Sequence, residues 1–154
     1  TEHHLRYRLS FIEGYSTGLF LDMKDNRHRL LSNLIEPGFP VFDKGTGAAK
    51  VLNTFAYTCS LSVCAARAGA ITTSLDLSQK YLEWGRENFR LNKLNPDDHD
   101  FIYGDTFDWM MRLSKRGKQY DLVILDPPTF SRSKFYWERS AEAKAKAAAR
   151  GSRG

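Results

Sequence analysis

Between Val51 and Asp126 the chain repeats one rhythm, and that rhythm leaves few folds open. VLNTFA reads as a strand, Ser60 to Ala68 as a helix of small residues, and ITTSLD as a second strand. Ser78 is placed to cap a helix with Leu82, Gly85 and Phe89 on one face. HDFIYGD is a third strand, and Thr106 to Lys115 a helix carrying Phe107, Met110, Met111 and Leu113. DLVILD is the fourth, and its unbroken apolar run predicts a strand buried on both faces. Strands alternating with helices in this way predict an α/β fold with a parallel sheet and right-handed crossovers.

The flanks read differently. Leu5, Tyr7, Leu9 and Phe11 alternate with period two, and Gly14 and Gly18 frame a second apolar piece, so a β-hairpin is expected. Asp25 is placed to cap a helix over residues 26–35, with Leu30, Leu31, Leu34 and Ile35 inward and Pro37-Gly38 as its stop. The run from Lys44 to Lys50, KGTGAAK, has the glycines of a phosphate loop. It precedes a strand instead of opening a helix, so it reads as a connection.

Composition narrows the class. At 42% hydrophobic and 13% aromatic the chain can build a packed core. No apolar run approaches the roughly 18 residues of a membrane span, and the polar start Thr1-Glu2-His3-His4 has no signal-peptide stretch. Cys59 and Cys64, five apart, match neither a disulfide framework nor a zinc site, so no metal and a reduced, cytoplasmic setting are expected. The net charge of +5 lies in residues 132–154, which hold seven Lys/Arg and two Glu. Such a low-complexity tail is a solvated end or a contact for nucleic-acid phosphates.

In a parallel α/β sheet the ligand lies beyond the carboxyl ends of the strands, where strand order reverses. The polar residues there are Asn53 to Ser60, Asp76-Leu77-Ser78, Gly104-Asp105-Thr106 and Asp126-Pro127-Pro128. Each aspartate is placed either to cap the next helix or to serve a ligand. After Asp76, Ser78 offers a second cap, and Asp76 stands 18 residues past Thr58, a spacing that suits a ribose hydroxyl. Two prolines after Asp126 end the strand in a stiff ledge, with Phe130 as an aromatic edge against which a flat base can stack.

Together the segments TGLFLDMKDNR, VLNTFAYTCSLSV, TSLDLSQKYLEWGRENFRLNKL, GDTFDW and DLVILDPPTFSRSK resemble class I S-adenosylmethionine-dependent methyltransferases. Within that class the chain is similar to the ribosomal large-subunit RNA methyltransferases. It looks most like the guanine-N7 half of the bifunctional bacterial 23S rRNA enzymes, with the cytosine-C5 enzymes as the near alternative. The resemblance implies S-adenosylmethionine as cofactor and ribosomal RNA as partner. It also implies that Asn53, Phe55, Tyr57, Thr58 and Ser60 line the methionine end, and that Asp76 accepts the ribose hydroxyls with Leu77 and Ser78 beside it. Asp105, Thr106 and Phe107 would hold the adenine. Asp126, Pro127, Pro128 and Phe130 would form the catalytic ledge near the methyl group and the target base. Asp22 and Arg27 would close the site from the N-terminal side.

On this resemblance residues 1–43 are an N-terminal hairpin and helix, and residues 44–131 a partial Rossmann-like core. Residues 132–154 are a basic tail. The family continues with further strands, so a sheet truncated after the fourth strand is expected, with an open edge available for self-association. Relatives carry glycines where this chain has Cys59 and Ser60. A Cβ there is expected to narrow the room for the cofactor, with Cys59 facing it and Cys64 in the packing. Guanine N7 offers a lone pair and needs no base, whereas cytosine C5 needs a covalent cysteine adduct. The lack of a cysteine near Asp126 therefore favours nitrogen methylation.

Overall fold

A computed structural model describes residues 1–12, 17–43, 45 and 47–128. The expectations placed on Phe130 and on residues 132–154 lie outside these. The core is a four-stranded parallel sheet of β1 (Lys50–Thr54), β2 (Ile71–Asp76), β3 (Asp100–Tyr103) and β4 (Leu122–Leu125) in the order β3-β2-β1-β4. The chain steps from β1 outward to β2 and β3, then returns so that β4 pairs with the other side of β1. Thr54 is level with both Leu75 and Leu125, so the carboxyl ends of β1, β2 and β4 lie side by side.

Three helices follow the strands: α2 (Ser60–Arg67), α3 (Gln79–Leu91) and α4 (Thr106–Lys115), with α1 (Lys24–Ser32) before the sheet. Residues 61–66 of α2 are all buried, because the helix packs against α1, α3 and the sheet. Its small side chains let those neighbours approach. Ser62 keeps its hydroxyl satisfied there by accepting from Asn53 Nδ2 (2.9 Å) and Ser74 Oγ (2.8 Å). The central strands are buried almost throughout.

β4 departs from its sequence. It has one neighbour among the described residues, and Val123 and Leu125 are 43% and 60% exposed while Leu122 and Ile124 turn inward. An unbroken apolar run thus sits half-buried at an edge.

The expected hairpin is corrected. Among the described residues before α1 the structure has no strand, only one bond across the turn, Ser10 N–H to Thr17 C=O at 3.0 Å. The extended arm lies along α3 and bonds to its side chains instead. Asn92 Oδ1 accepts from Arg6 N–H (2.8 Å), its Nδ2 donates to Arg6 C=O (2.8 Å), and Asn88 Oδ1 accepts from Arg8 N–H (2.9 Å). Trp84 Nε1 donates to Arg8 C=O (3.1 Å). A helix has therefore supplied the partners that a strand would have, and Leu5 enters the common core while Leu9 and Phe11 stay exposed.

α1 is likewise shorter than expected. Met23 stands at its N-cap position and Asp25 lies inside the first turn. The helix stops at Asn33, whose left-handed backbone (φ 53°) ends it and whose amide bonds both ways to Phe42. Leu34 and Ile35 are consequently exposed.

At the opposite end of the sheet from the candidate site, His99 Nδ1 accepts from Thr72 N–H (3.1 Å) and the ring packs on Phe89. Burial holds its pKa below the ordinary 6.5, against the pull of Asp98 and Asp100. The unfolded chain therefore takes up this proton first as pH falls. Stability from this site is full above about pH 6.5 and is lost as pH falls through the lowered folded value. Thermal melts across that window should show a Tm decline that His99→Gln flattens; an equal decline in the variant would reject this assignment.

Candidate functional site

The carboxyl ends of the four strands open on a cavity of ≈ 550 Å³ at the β1/β4 reversal. That size lies within the range of small-molecule sites. Fourteen of the residues singled out in the sequence line it. They are Asn53, Phe55, Tyr57 and Ser60 after β1, Asp76 and Leu77 after β2, and Asp105, Thr106 and Phe107 after β3. Asp126, Pro127 and Pro128 follow β4, and Asp22 and Arg27 come from the N-terminal side.

Thr58 and Ser78 stand behind the wall. Thr58 is fully buried, its hydroxyl donating to Gly18 C=O (2.7 Å), and Ser78 caps α3 by accepting from Tyr81 N–H (3.3 Å). The wall also holds Phe20, Met23, Ala56, Leu61 and Tyr81, which sequence reasoning passed over. Phe20 and Met23 stand near or beside Asp22, and Tyr81 lies in the first turn of the helix that Ser78 caps, so proximity to named residues was the available signal.

The turn after β1 reaches its shape without glycine. Phe55, Tyr57 and Cys59 all take left-handed backbone, with φ of 53°, 50° and 60°. Each costs roughly 1–2 kcal/mol for an L-residue, so the surroundings must hold them. Ala56 N–H donates to Leu75 C=O (3.0 Å), Cys59 N–H to Ala56 C=O (2.8 Å), and Tyr57 N–H to Asp76 Oδ2 (2.7 Å). The result places Phe55 edge-on to Phe107 (6.3 Å), and Tyr57 against Phe20 (5.1 Å) and Tyr81 (4.5 Å). Five aromatic rings thus gather around one turn, in one pair and one group of three.

Cys59 corrects the expectation that it faces the cavity and narrows it. The residue is fully buried and points into α3 at Gly85. A Cβ on Gly85 would collide with Cys59 Sγ and lie 2.9 Å from Cys59 Cβ. Gly85→Ala should therefore cost about 1–3 kcal/mol by overpacking. In a Cys59→Gly background the collision is gone, and the same change should stabilise α3 by up to about 1 kcal/mol through helix propensity. Urea melts of the four proteins check this, and an equal cost in both backgrounds would refute the packing.

The electrostatics are those of an acidic, aromatic cleft. Asp76 bridges two turns, accepting from Tyr57 N–H and from Ser78 N–H (2.8 Å). Burial raises its pKa above the ordinary carboxylate value, partly offset by those backbone bonds. Asp105 caps α4, its Oδ1 accepting from Phe107 and Asp108 N–H (3.0 and 3.1 Å).

Arg27 is 1% exposed, and its guanidinium is committed to Glu2 (2.6 and 2.8 Å) and to Phe20 C=O (2.7 Å). Burial works against its charge, but Glu2 overcomes that and keeps the pKa above the ordinary value. Its charge is therefore answered within the protein. The cleft suits a ligand with hydroxyls, a flat ring and positive charge.

Neither thiol lines the cavity. Cys59 is buried and pushed up to about 12, and Cys64, 3.3 Å from the Tyr7 hydroxyl, is pushed up to about 11, in each case mainly by burial. Among the described residues no group of three or more His, Cys, Asp or Glu could hold a metal ion, and no helix is long and apolar enough to cross a membrane.

The sequence and the fold both match known proteins. The S-adenosylmethionine-dependent methyltransferase family matches residues 1–143. The ribosomal RNA large subunit methyltransferase K/L of Psychrobacter cryohalolentis is 42% identical over 129 residues, covering 82% of this chain and 15% of that protein. Its counterpart from Shewanella pealeana is 42% identical over 135 residues, covering 87% and 17%. The chain thus spans 15–17% of the length of these two relatives. Among solved structures, the methyltransferase SMU.776 complexed with SAH superposes with TM-score 0.73 at 33% identity, over 86% of this chain and 32% of that one. A SAM-dependent methyltransferase from Streptococcus mutans superposes at 0.70 with 34% identity, over 88% and 34%. The chain belongs to the S-adenosylmethionine-dependent methyltransferases.

Proposed function

We propose that this cavity holds S-adenosylmethionine and that the chain is the cofactor-binding part of an enzyme that methylates guanine N7 of 23S ribosomal RNA. The observation that carries the reading is the cleft at the β1/β4 reversal, where carboxylates and aromatic rings converge and the buried Arg27 is already paired. Asp76 accepts the ribose hydroxyls, which explains a carboxylate held at a strand end by two backbone N–H groups. Leu77 and Phe107, 54% and 49% exposed at the cavity wall, flank the adenine, and Asp105 and Thr106 meet its edge. Asn53, Phe55, Tyr57 and Ser60 face the methionine end. Asp22 and Arg27 close the site beside Phe20.

When bound, S-adenosylmethionine would supply an electrophilic methyl group on a sulfonium, the sulfur keeping the electrons of the broken carbon–sulfur bond and the acceptor nitrogen providing the pair for the new one. The protein's part is to hold the reactants in line and keep water out, effects worth up to roughly 7–11 kcal/mol. The Asp126-Pro127-Pro128 ledge, following the last paired residue of β4, fixes the acceptor side of the mouth.

Nitrogen is favoured over cytosine C5 because the carbon route needs an accessible thiolate, and both thiols of this chain are buried with raised pKa values. The test is to incubate the full-length protein that contains this chain with unmodified 23S rRNA and methyl-labelled cofactor, then digest to nucleosides. Label in 7-methylguanosine is expected, and label in 5-methylcytidine would overturn the nitrogen assignment.

A further inference from the structure

We infer that Asn88, buried on the inner face of α3, is a positioning residue for the glycine-free turn of the cavity. This rests on the S-adenosylmethionine reading of that cavity. Asn88 is 0% exposed and lies outside the cavity wall. Its Nδ2 donates to Thr58 C=O (3.0 Å) while its Oδ1 accepts from Arg8 N–H (2.9 Å). Because one partner only accepts and the other only donates, the orientation of the amide is fixed by its neighbours. A side chain with one donor end and one acceptor end is what this position requires.

Thr58 lies between two left-handed residues, Tyr57 and Cys59. Holding its carbonyl fixes the peptide plane that leads into Cys59, and the Thr58 hydroxyl fixes the same residue to Gly18 from the other side. The turn that presents Tyr57 and Ser60 to the cavity is thus gripped from α3 and from the N-terminal segment at one residue. Asn88 carries the grip from α3, and Gly85, one turn earlier, leaves the space that Cys59 fills.

The fold contains its own control. Asn92, 8% exposed and one turn along the same face, also holds the arm, bonding to both backbone groups of Arg6 at 2.8 Å. It makes no bond to the turn. Asn88→Asp keeps an acceptor for Arg8 and puts a carboxylate against the Thr58 carbonyl, whereas Asn92→Asp puts one against the carbonyls of Arg6 and Asn88, which its Nδ2 now meets at 2.8 and 2.7 Å, and leaves the bond to Thr58 in place.

Calorimetric titration of S-adenosylmethionine into the folded variants should show affinity weakened at least about tenfold for Asn88→Asp, since small misplacements in a binding geometry carry large penalties. Asn92→Asp should stay within about twofold of wild type on the same reasoning. Asn88→Ala and Asn92→Ala bury no charge and carry the same comparison if the acidic variants do not fold. Wild-type affinity in the Asn88 variants, or equal loss in the Asn92 variants, would overturn the proposal. Failure of the wild-type chain to bind would count against the cofactor reading instead. The grip is then read from amide exchange at Ala56 and Cys59, which should quicken in Asn88→Ala and stay unchanged in Asn92→Ala; no difference between the two would overturn it.

Discussion

Asp76→Ala should weaken S-adenosylmethionine binding roughly a hundredfold, since hydrogen bonds to a charged group contribute about 1.5–3 kcal/mol each. Asp76 lies where the ends of β1 and β2 meet, and its two oxygens hold the turns after both strands. Truncation therefore removes the ligand's acceptor and releases Tyr57 N–H from its partner. Asp76→Asn separates the two effects: it retains an oxygen for one N–H and loses the charge, so affinity should still fall steeply while the melting temperature falls less than in the alanine variant.

The pH dependence follows from the raised pKa of Asp76. Affinity should be lost as pH falls through a value above the ordinary 3.8, because protonation removes an acceptor. For stability the sign is opposite. A carboxylate with a raised folded pKa contributes most below its unfolded value, and that contribution is lost as pH rises through the folded one. Calorimetric titrations across mild acid pH check the first statement, and an affinity independent of pH there would remove Asp76 from the contact.

Breaking the Glu2–Arg27 pair should have the largest effect on stability. Both guanidinium–carboxylate bonds are short, and Arg27 is 1% exposed. Glu2→Gln leaves a buried cation without its counter-charge, which costs about 3–5 kcal/mol, and a loss of that size lowers Tm by on the order of 10 °C or more. Arg27→Met with Glu2→Gln should cost less than the sum of the two single changes, because no unpaired charge remains.

The hydrogen bond from Arg27 holds the Glu2 carboxyl below its ordinary 4.5, against burial. A depressed folded pKa places this stability above the unfolded value, and it is lost as pH falls through the folded one. Because Arg27 Nη1 also holds Phe20 C=O, the single variants should loosen the cavity wall as well. Thermal melts with and without cofactor check both parts; a Glu2→Gln protein that melts like wild type would reject the pair as a buried anchor.

Much of the sheet was legible because each strand is a β-prone run closed by a helix-capping or turn residue. Ser78 and Asp105 cap α3 and α4 as local chemistry dictates, and α4 spans Thr106–Lys115 as its apolar spacing predicts. The site was legible for a related reason. Residues at the carboxyl ends of parallel strands converge whatever the helices do, so Asp76, Asp105 and Asp126 reach one cavity. The family resemblance read from the motifs is borne out by the match over residues 1–143.

What was not legible depends on partners distant in sequence. The alternation from Leu5 to Phe11 looked like a strand, but Asn88 and Asn92, some 80 residues away, satisfy that backbone. The direction of Cys59 is set by the gap at Gly85. The apolar run of β4 fits a buried strand equally well, and among the described residues it pairs with β1 on one side, which leaves Val123 and Leu125 exposed.

The most direct test of the account is calorimetric titration of S-adenosylmethionine into the wild-type chain and into Asp76→Ala. One molecule should bind per wild-type chain and be displaced by S-adenosylhomocysteine, with binding sharply weakened in the variant. A folded wild-type chain that binds no S-adenosylmethionine at high micromolar concentration, or a variant that binds it as well as wild type, would contradict the account.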